Sequence, residues 1–219
     1  MRNPPPSPRR TWRPGGFGDL ALNPVIVLIV INFVFYIATL VVTQGRYPFG
    51  EYTYVTSDKI TYYLGLIPYY FTTRPWTVIS AMFIHADFWH IFGNMVTLYF
   101  FGMFLVRLIG SNWFILLYFV GGIVGNLLYV LLGEPLSLVI GASGAIYAVA
   151  GALVVIMPKL TVRLYFLIPI PLWVVVLVFF VAWSFIPGVA WQAHLGGLAV
   201  GLIAGFFFRR RIRYDFYRR

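Results

Sequence analysis

Five side chains stand in apolar segments that ordinarily carry no such groups: His90, Asn94, Ser143, Tyr147 and His194. A polar group within lipid is costly, so it needs a partner or a function. A serine hydroxyl is a poor nucleophile until a base takes its proton, and an imidazole can be that base near neutral pH. Ser143 and His194 are therefore a candidate nucleophile and general base, provided their segments touch. His90 and Asn94 are four residues apart, hence on one helical face, and both side chains can donate hydrogen bonds to a developing oxyanion. Ser143 opens its segment, so its own N–H has no intrahelical acceptor and is a third candidate donor. Tyr147 lies one turn after Ser143 on the same face, placed to pack beside His194 and fix its ring. Each residue also has a bland reading. A serine within Gly141-Ala142-Ser143-Gly144 is ordinarily a small packing residue. A lone histidine at a helix end is ordinarily structural, and Asn94 could merely bond a neighbouring backbone. Placement has to decide.

The chain that must position them has 219 residues, 61% hydrophobic and only 10% charged. A soluble domain carries about 25% charged residues, so the composition points to the membrane. Six apolar segments fall near residues 24–43, 89–108, 112–132, 143–157, 171–185 and 191–208. The expected fold is all-α: a polytopic bundle of six transmembrane helices occupying residues 23–208, with a long tyrosine-rich outer loop over 44–79. Residues 1–22 read as a flexible basic tail without a cleavable leader, and 209–219 as a second basic tail. Glycines four apart, at Gly121/Gly125 and Gly197/Gly201/Gly205, fit close helix packing in lipid.

Charge sets the orientation. With both termini cytoplasmic, thirteen Lys and Arg lie inside and three, Arg46, Lys59 and Arg74, lie outside, as the positive-inside rule requires. Spans two, four and six then run from outside to inside. They bring His90, Asn94, Ser143 and His194 to one level near the outer ends. Span four is short. Its 15 residues cover about 22 Å of a hydrocarbon core about 30 Å thick. Anchored at the inner surface by Lys159, it would start beneath the outer surface, with Ser143 at the floor of a depression walled by residues 136–142. The +10 net charge is concentrated at the two tails, beside apolar segments, and so fits anionic lipid headgroups rather than nucleic acid.

Three motifs, in this order and on these segments, resemble the rhomboid intramembrane proteases: HADFWHIFGNM (85–95), GASGAIY (141–147) and AHLGGLAVG (193–201). The resemblance covers about residues 24–208. It implies a six-helix core, no cofactor, Ser143 as nucleophile and His194 as base. It also implies an oxyanion hole of His90, Asn94 and the Ser143 backbone. Gly141 would free the loop before the nucleophile, Gly197 would let span six lie close to span four, and Tyr147 would support His194. The implied substrates are single-span membrane proteins cut near the outer face, and the implied setting is a prokaryotic plasma membrane. Two features depart from the family pattern. Where the first outer loop often carries a Trp-Arg pair, Trp76 is followed by Thr77, and a carboxylate that many members place four residues after the glycine matched by Gly102 is Val106.

Other chemistries fit less well. No acid lies within these spans as a third triad member, because Asp87 and Glu134 fall in outer connections, so a dyad is expected. A zinc site needs three or four ligands, and His85, His90 and His194 are the only histidines, with no cysteine or carboxylate pair to complete a set. A transporter should show inverted repeats or midplane acids, which are lacking here. A non-catalytic relative would ordinarily lack the nucleophile or the base, and both are present.

Overall fold

The computed structural model describes residues 23–42, 44–49, 51, 53–164 and 168–217. The N-terminal segment read above as a basic tail lies outside the described residues. The first helix, α1, spans Pro24–Val41. Asn23 starts it by accepting from the Val25 N–H at 2.9 Å, and Pro24 brings its preset φ to the first turn. Only a stripe including Val25, Leu28, Asn32 and Thr39 is buried. Val30, Val34, Leu40 and Val41 are exposed, the pattern of a helix bounded by lipid on one side.

The described residues of the 44–79 loop are structured. Strands β1 (Gln44–Phe49) and β2 (Thr53–Asp58) pair antiparallel, and Asp58 caps a short helix, Lys59–Leu64, by accepting from Thr61 N–H at 2.7 Å. Arg74 ties this loop down. Its guanidinium donates to the Tyr62 carbonyl and hydroxyl, each at 3.0 Å, and lies 4.4 Å from the Tyr62 ring and 4.6 Å from the Tyr70 ring. The Trp76 indole adds a bond to the Tyr63 carbonyl. The arginine anchor thus sits two residues before Trp76 rather than directly after it.

Helix α2 (Phe88–Ile109) begins at Asp87, whose carboxylate accepts from His90 N–H at 2.9 Å. It contains a π-helical turn over Leu98–Gly102. Gly110, at φ +84°, turns the chain directly into α3 (Ser111–Leu132). Helix α4 (Ser143–Ile156) follows, then the antiparallel strands β3 (Thr161–Leu164) and β4 (Ile168–Pro171). Helix α5 (Leu172–Ser184) carries a second π-helical turn at Val175–Phe180, and α6 (Trp191–Tyr217) ends the described chain, carrying its helix past the expected inner boundary at residue 208.

Four of these helices are long and apolar enough to cross a membrane, and α4 and α5 are shorter. The two hairpins depart from a purely α-helical expectation. Both lie in connections, where the extended runs find no helix face to join. The core is organised around α4, in which every residue from Gly144 to Ile156 is buried. Its small side chains explain how. The position where a Cβ would stand on Gly197 collides with the Gly144 carbonyl, on Gly201 with the Ala148 carbonyl, and on Gly121 with the Ala148 methyl. Backbones approach this closely only where both sides give up their side chains, the packing mode that lipid favours.

Candidate active site

The loop before α4 fixes the start of that helix. Leu66 and Val139 exchange backbone hydrogen bonds, and Gly141 N–H donates to the Ala81 carbonyl at 2.9 Å. Gly141 adopts φ +121°, a conformation that side chains rarely tolerate. A Cβ there would stand only 2.7 Å from His90 Nε2, so absence of a side chain is required twice over. Ala142 N–H reaches His85 Nε2 at 3.5 Å. Burial, and then the neighbouring His90, hold the His85 imidazole down at about 3, so it is neutral and can accept that bond.

Across from this loop, α6 delivers His194. Its Nε2 lies 2.7 Å from Ser143 Oγ, and its ring stacks on Tyr147 with centroids 4.2 Å apart and planes 18° from parallel. The Gly197–Gly144 contact lies one turn along α6 from His194 and one residue after Ser143. The same backbone approach that closes the helix pair therefore sets the Ser–His distance. His90, Asn94, Ser143, Tyr147 and His194 all line one open cavity of about 840 Å³. Residues 138–140, within the 136–142 stretch expected to wall a depression, line one side, while Trp89 of α2 with Phe179 and Trp183 of α5 supply apolar surface.

The two side-chain donors of α2 have their own anchors. His90 Nδ1 receives the Ala86 N–H at 3.4 Å, and Asn94 Nδ2 donates to the His90 carbonyl at 3.0 Å. The Asn94 amide therefore makes the neighbouring-backbone bond that its bland reading allowed, and it keeps a second N–H for the cavity. Asp87, placed by the sequence in an outer connection, is the N-cap of α2.

Sequence reasoning missed Ser184. Its hydroxyl, fully buried at 0% exposure, lies 2.9 Å from His194 Nδ1, 3.0 Å from the Tyr147 hydroxyl and 2.9 Å from the Phe180 carbonyl. The Tyr147 hydroxyl donates to that same carbonyl at 2.6 Å. The available signal was a hydroxyl within the apolar run 171–185, ten residues before His194.

The Rhomboid domain family matches residues 72–211. The chain is 26% identical over 211 residues to Rhomboid-like protease 3 of Toxoplasma gondii, an alignment covering 93% of this chain and 76% of that protein. It is 31% identical over 163 residues to Rhomboid protein 1, mitochondrial, of Saccharomyces cerevisiae, covering 65% of this chain and 44% of the relative. RHOMBOID-like protein 12, mitochondrial, of Arabidopsis thaliana is 29% identical over 151 residues, covering 58% and 45%. The chain thus spans less than half the length of two of these three relatives. With a Rhomboid domain over most of its length and a serine and a histidine joined at its centre, this chain belongs to the rhomboid family.

Proposed function

We propose that this protein is a multi-pass membrane serine endopeptidase that cleaves single-span membrane proteins near the outer membrane face. The observation that carries the reading is the 2.7 Å contact between His194 Nε2 and Ser143 Oγ, inside a cavity open to one side of a lipid-compatible bundle. In this reading all six helices are spans and both termini are cytoplasmic, as the distribution of basic residues favours. The basic tails meet anionic headgroups.

The chemistry follows from the contacts. His194 Nε2 takes the Ser143 proton while Oγ attacks the scissile carbonyl carbon. The carbonyl oxygen becomes an oxyanion held by the Ser143 N–H, Asn94 Nδ2 and the His90 side chain. His194 then passes its proton to the leaving amine, and an ester remains on Ser143. Water, deprotonated by the same imidazole, hydrolyses that ester and restores the serine. Tyr147 confines the imidazole to one plane by stacking, Gly141 admits His90 against the loop, and Gly197 sets the separation of α6 from α4. An apolar cavity wall suits a substrate segment that arrives from lipid, unwound so that its carbonyl is accessible. No cofactor enters any step.

Reconstitution into vesicles with a single-span reporter tests this. The wild-type protein should release two fragments whose junction lies near the outer face, and Ser143→Ala and His194→Ala should release none. Equal cleavage by Ser143→Ala would overturn the assignment.

A further inference from the structure

The proton inventory around His194 carries one step more. Four groups meet there: the Ser143 hydroxyl, the imidazole, the Ser184 hydroxyl and the Tyr147 hydroxyl, with the Phe180 carbonyl as an acceptor only. The Tyr147 proton goes to that carbonyl over 2.6 Å. If His194 carries its proton on Nδ1, each remaining proton also has an acceptor. Ser143 O–H donates to Nε2, Nδ1–H donates to Ser184 Oγ, and Ser184 O–H donates to Phe180, whose carbonyl has two lone pairs. If the proton sits on Nε2, that N–H points at Ser143 Oγ. The Ser143 hydroxyl then has no acceptor among the described residues, and Nε2 has no lone pair with which to act as base. The Nδ1–H arrangement satisfies one more donor within the protein, whereas the alternative turns the half-buried Ser143 hydroxyl out to the open cavity and leaves the resting site without a base.

We propose that Ser184 is a positioning residue that holds His194 in its Nδ1–H tautomer, making the site a Ser143–His194–Ser184 relay of hydrogen bonds rather than an unsupported dyad. The inference rests on the protease reading above for its catalytic consequence, but not for the tautomer itself. Its architecture is specific. The π-helical turn Val175–Phe180 ends at the residue whose carbonyl takes both hydroxyls. Such turns break the regular hydrogen-bond ladder and are frequent at functional sites. Ser184 bonds back to that carbonyl from four residues on, which turns its lone pairs toward α6. When His194 gains the serine proton, both ring nitrogens become donors, and the Ser184 oxygen then accepts a charge-assisted bond, stronger than in the resting state. That difference favours the transition state over the ground state.

The chain has three histidines, so protein grown with isotopically labelled histidine gives a three-ring spectrum. His194 is assigned by loss of its signals in His194→Ala. In detergent micelles the imidazole nitrogen shifts should show wild-type His194 protonated on Nδ1. Ser184→Ala should move population to Nε2–H and lower kcat on a cleaved reporter by about tenfold to a hundredfold with KM unchanged, the range expected for losing one charge-assisted bond. Ser184→Thr, which keeps the hydroxyl, should restore both the tautomer and kcat. Wild-type His194 protonated on Nε2 overturns the proposal, as does a Ser184→Ala spectrum identical to wild type. Should Ser184→Ala fail to fold, the wild-type tautomer still decides. A wild-type protein with Nδ1–H but no proteolysis would sink the protease reading and leave the tautomer assignment standing.

Discussion

Substituting Gly197 by alanine should separate Ser143 from His194 without touching either. The added methyl would fall on the Gly144 carbonyl, far inside the 3.0 Å limit below which real Cβ atoms do not pack, and the obstacle is backbone that cannot rotate away. An ordinary carbon–oxygen contact needs about 3.5 Å, so α6 must retreat from α4 by roughly 1 Å or more. His194 lies one turn away on the same helix and moves with it. Its bond to Ser143 starts at 2.7 Å, so that retreat carries it beyond useful hydrogen-bonding range. A misplacement of about 1 Å costs on the order of a hundredfold in rate, while overpacking costs about 1–3 kcal/mol in stability. The assay pairs reporter cleavage in vesicles with thermal unfolding in detergent. Gly205→Ala is the comparator. Its methyl meets Val155 at 2.8 Å and Ala152 at 3.0 Å, farther along α6 from His194, so it should lose stability with a much smaller loss of turnover. Wild-type turnover in Gly197→Ala would refute the link between this packing contact and the catalytic distance.

Three further outcomes are expected. Asn94→Ala should lower kcat by about a hundredfold with KM nearly unchanged, because its free N–H matters most to the oxyanion; a change confined to KM, measured on the same reporter, contradicts that role. His85 is held neutral, at about 3 rather than 6.5, so below pH 6.5 the unfolded chain binds a proton that the folded one refuses. Acidification below pH 6.5 therefore destabilises the fold through this group, and His85→Gln should flatten the acid limb of a detergent melting curve. Arg74→Ala should destabilise the outer loop by about 2 kcal/mol through loss of the Tyr62 bonds and the ring contacts, and Arg74→Lys should not rescue it, since a compact ammonium lacks the planar fork that spans both Tyr62 acceptors while lying against the tyrosine rings; limited proteolysis of the 44–79 region reads this out.

Much of the site was legible because lipid makes polar residues conspicuous. Ser143, His194, His90 and Asn94 stood out against apolar runs, and the alternation of span direction put them at one level before any contact was known. Gly197 and Gly201 signalled close approach because in a membrane few other side chains allow it. Ser184 was equally conspicuous by type, yet its partner depended on the rotation of α5, and a π-helical turn alters that rotation in a way no 3.6-residue periodicity reveals. The Arg74 anchor was hidden for a related reason. The loop folds as a hairpin and a short helix, so its contacts run from Arg74 back to Tyr62 and Tyr70 rather than along the sequence beside Trp76. Polar residues within spans announce themselves, whereas their pairing depends on helix rotation and loop path, which are tertiary quantities.

The most direct measurement is the site of covalent capture. A fluorophosphonate incubated with the purified protein, followed by peptide mass mapping, should place a single phosphonyl adduct on the Ser143 oxygen, at a rate that collapses in His194→Ala. An adduct on another residue, or an equal rate of Ser143 capture without the histidine, would contradict a serine activated by His194.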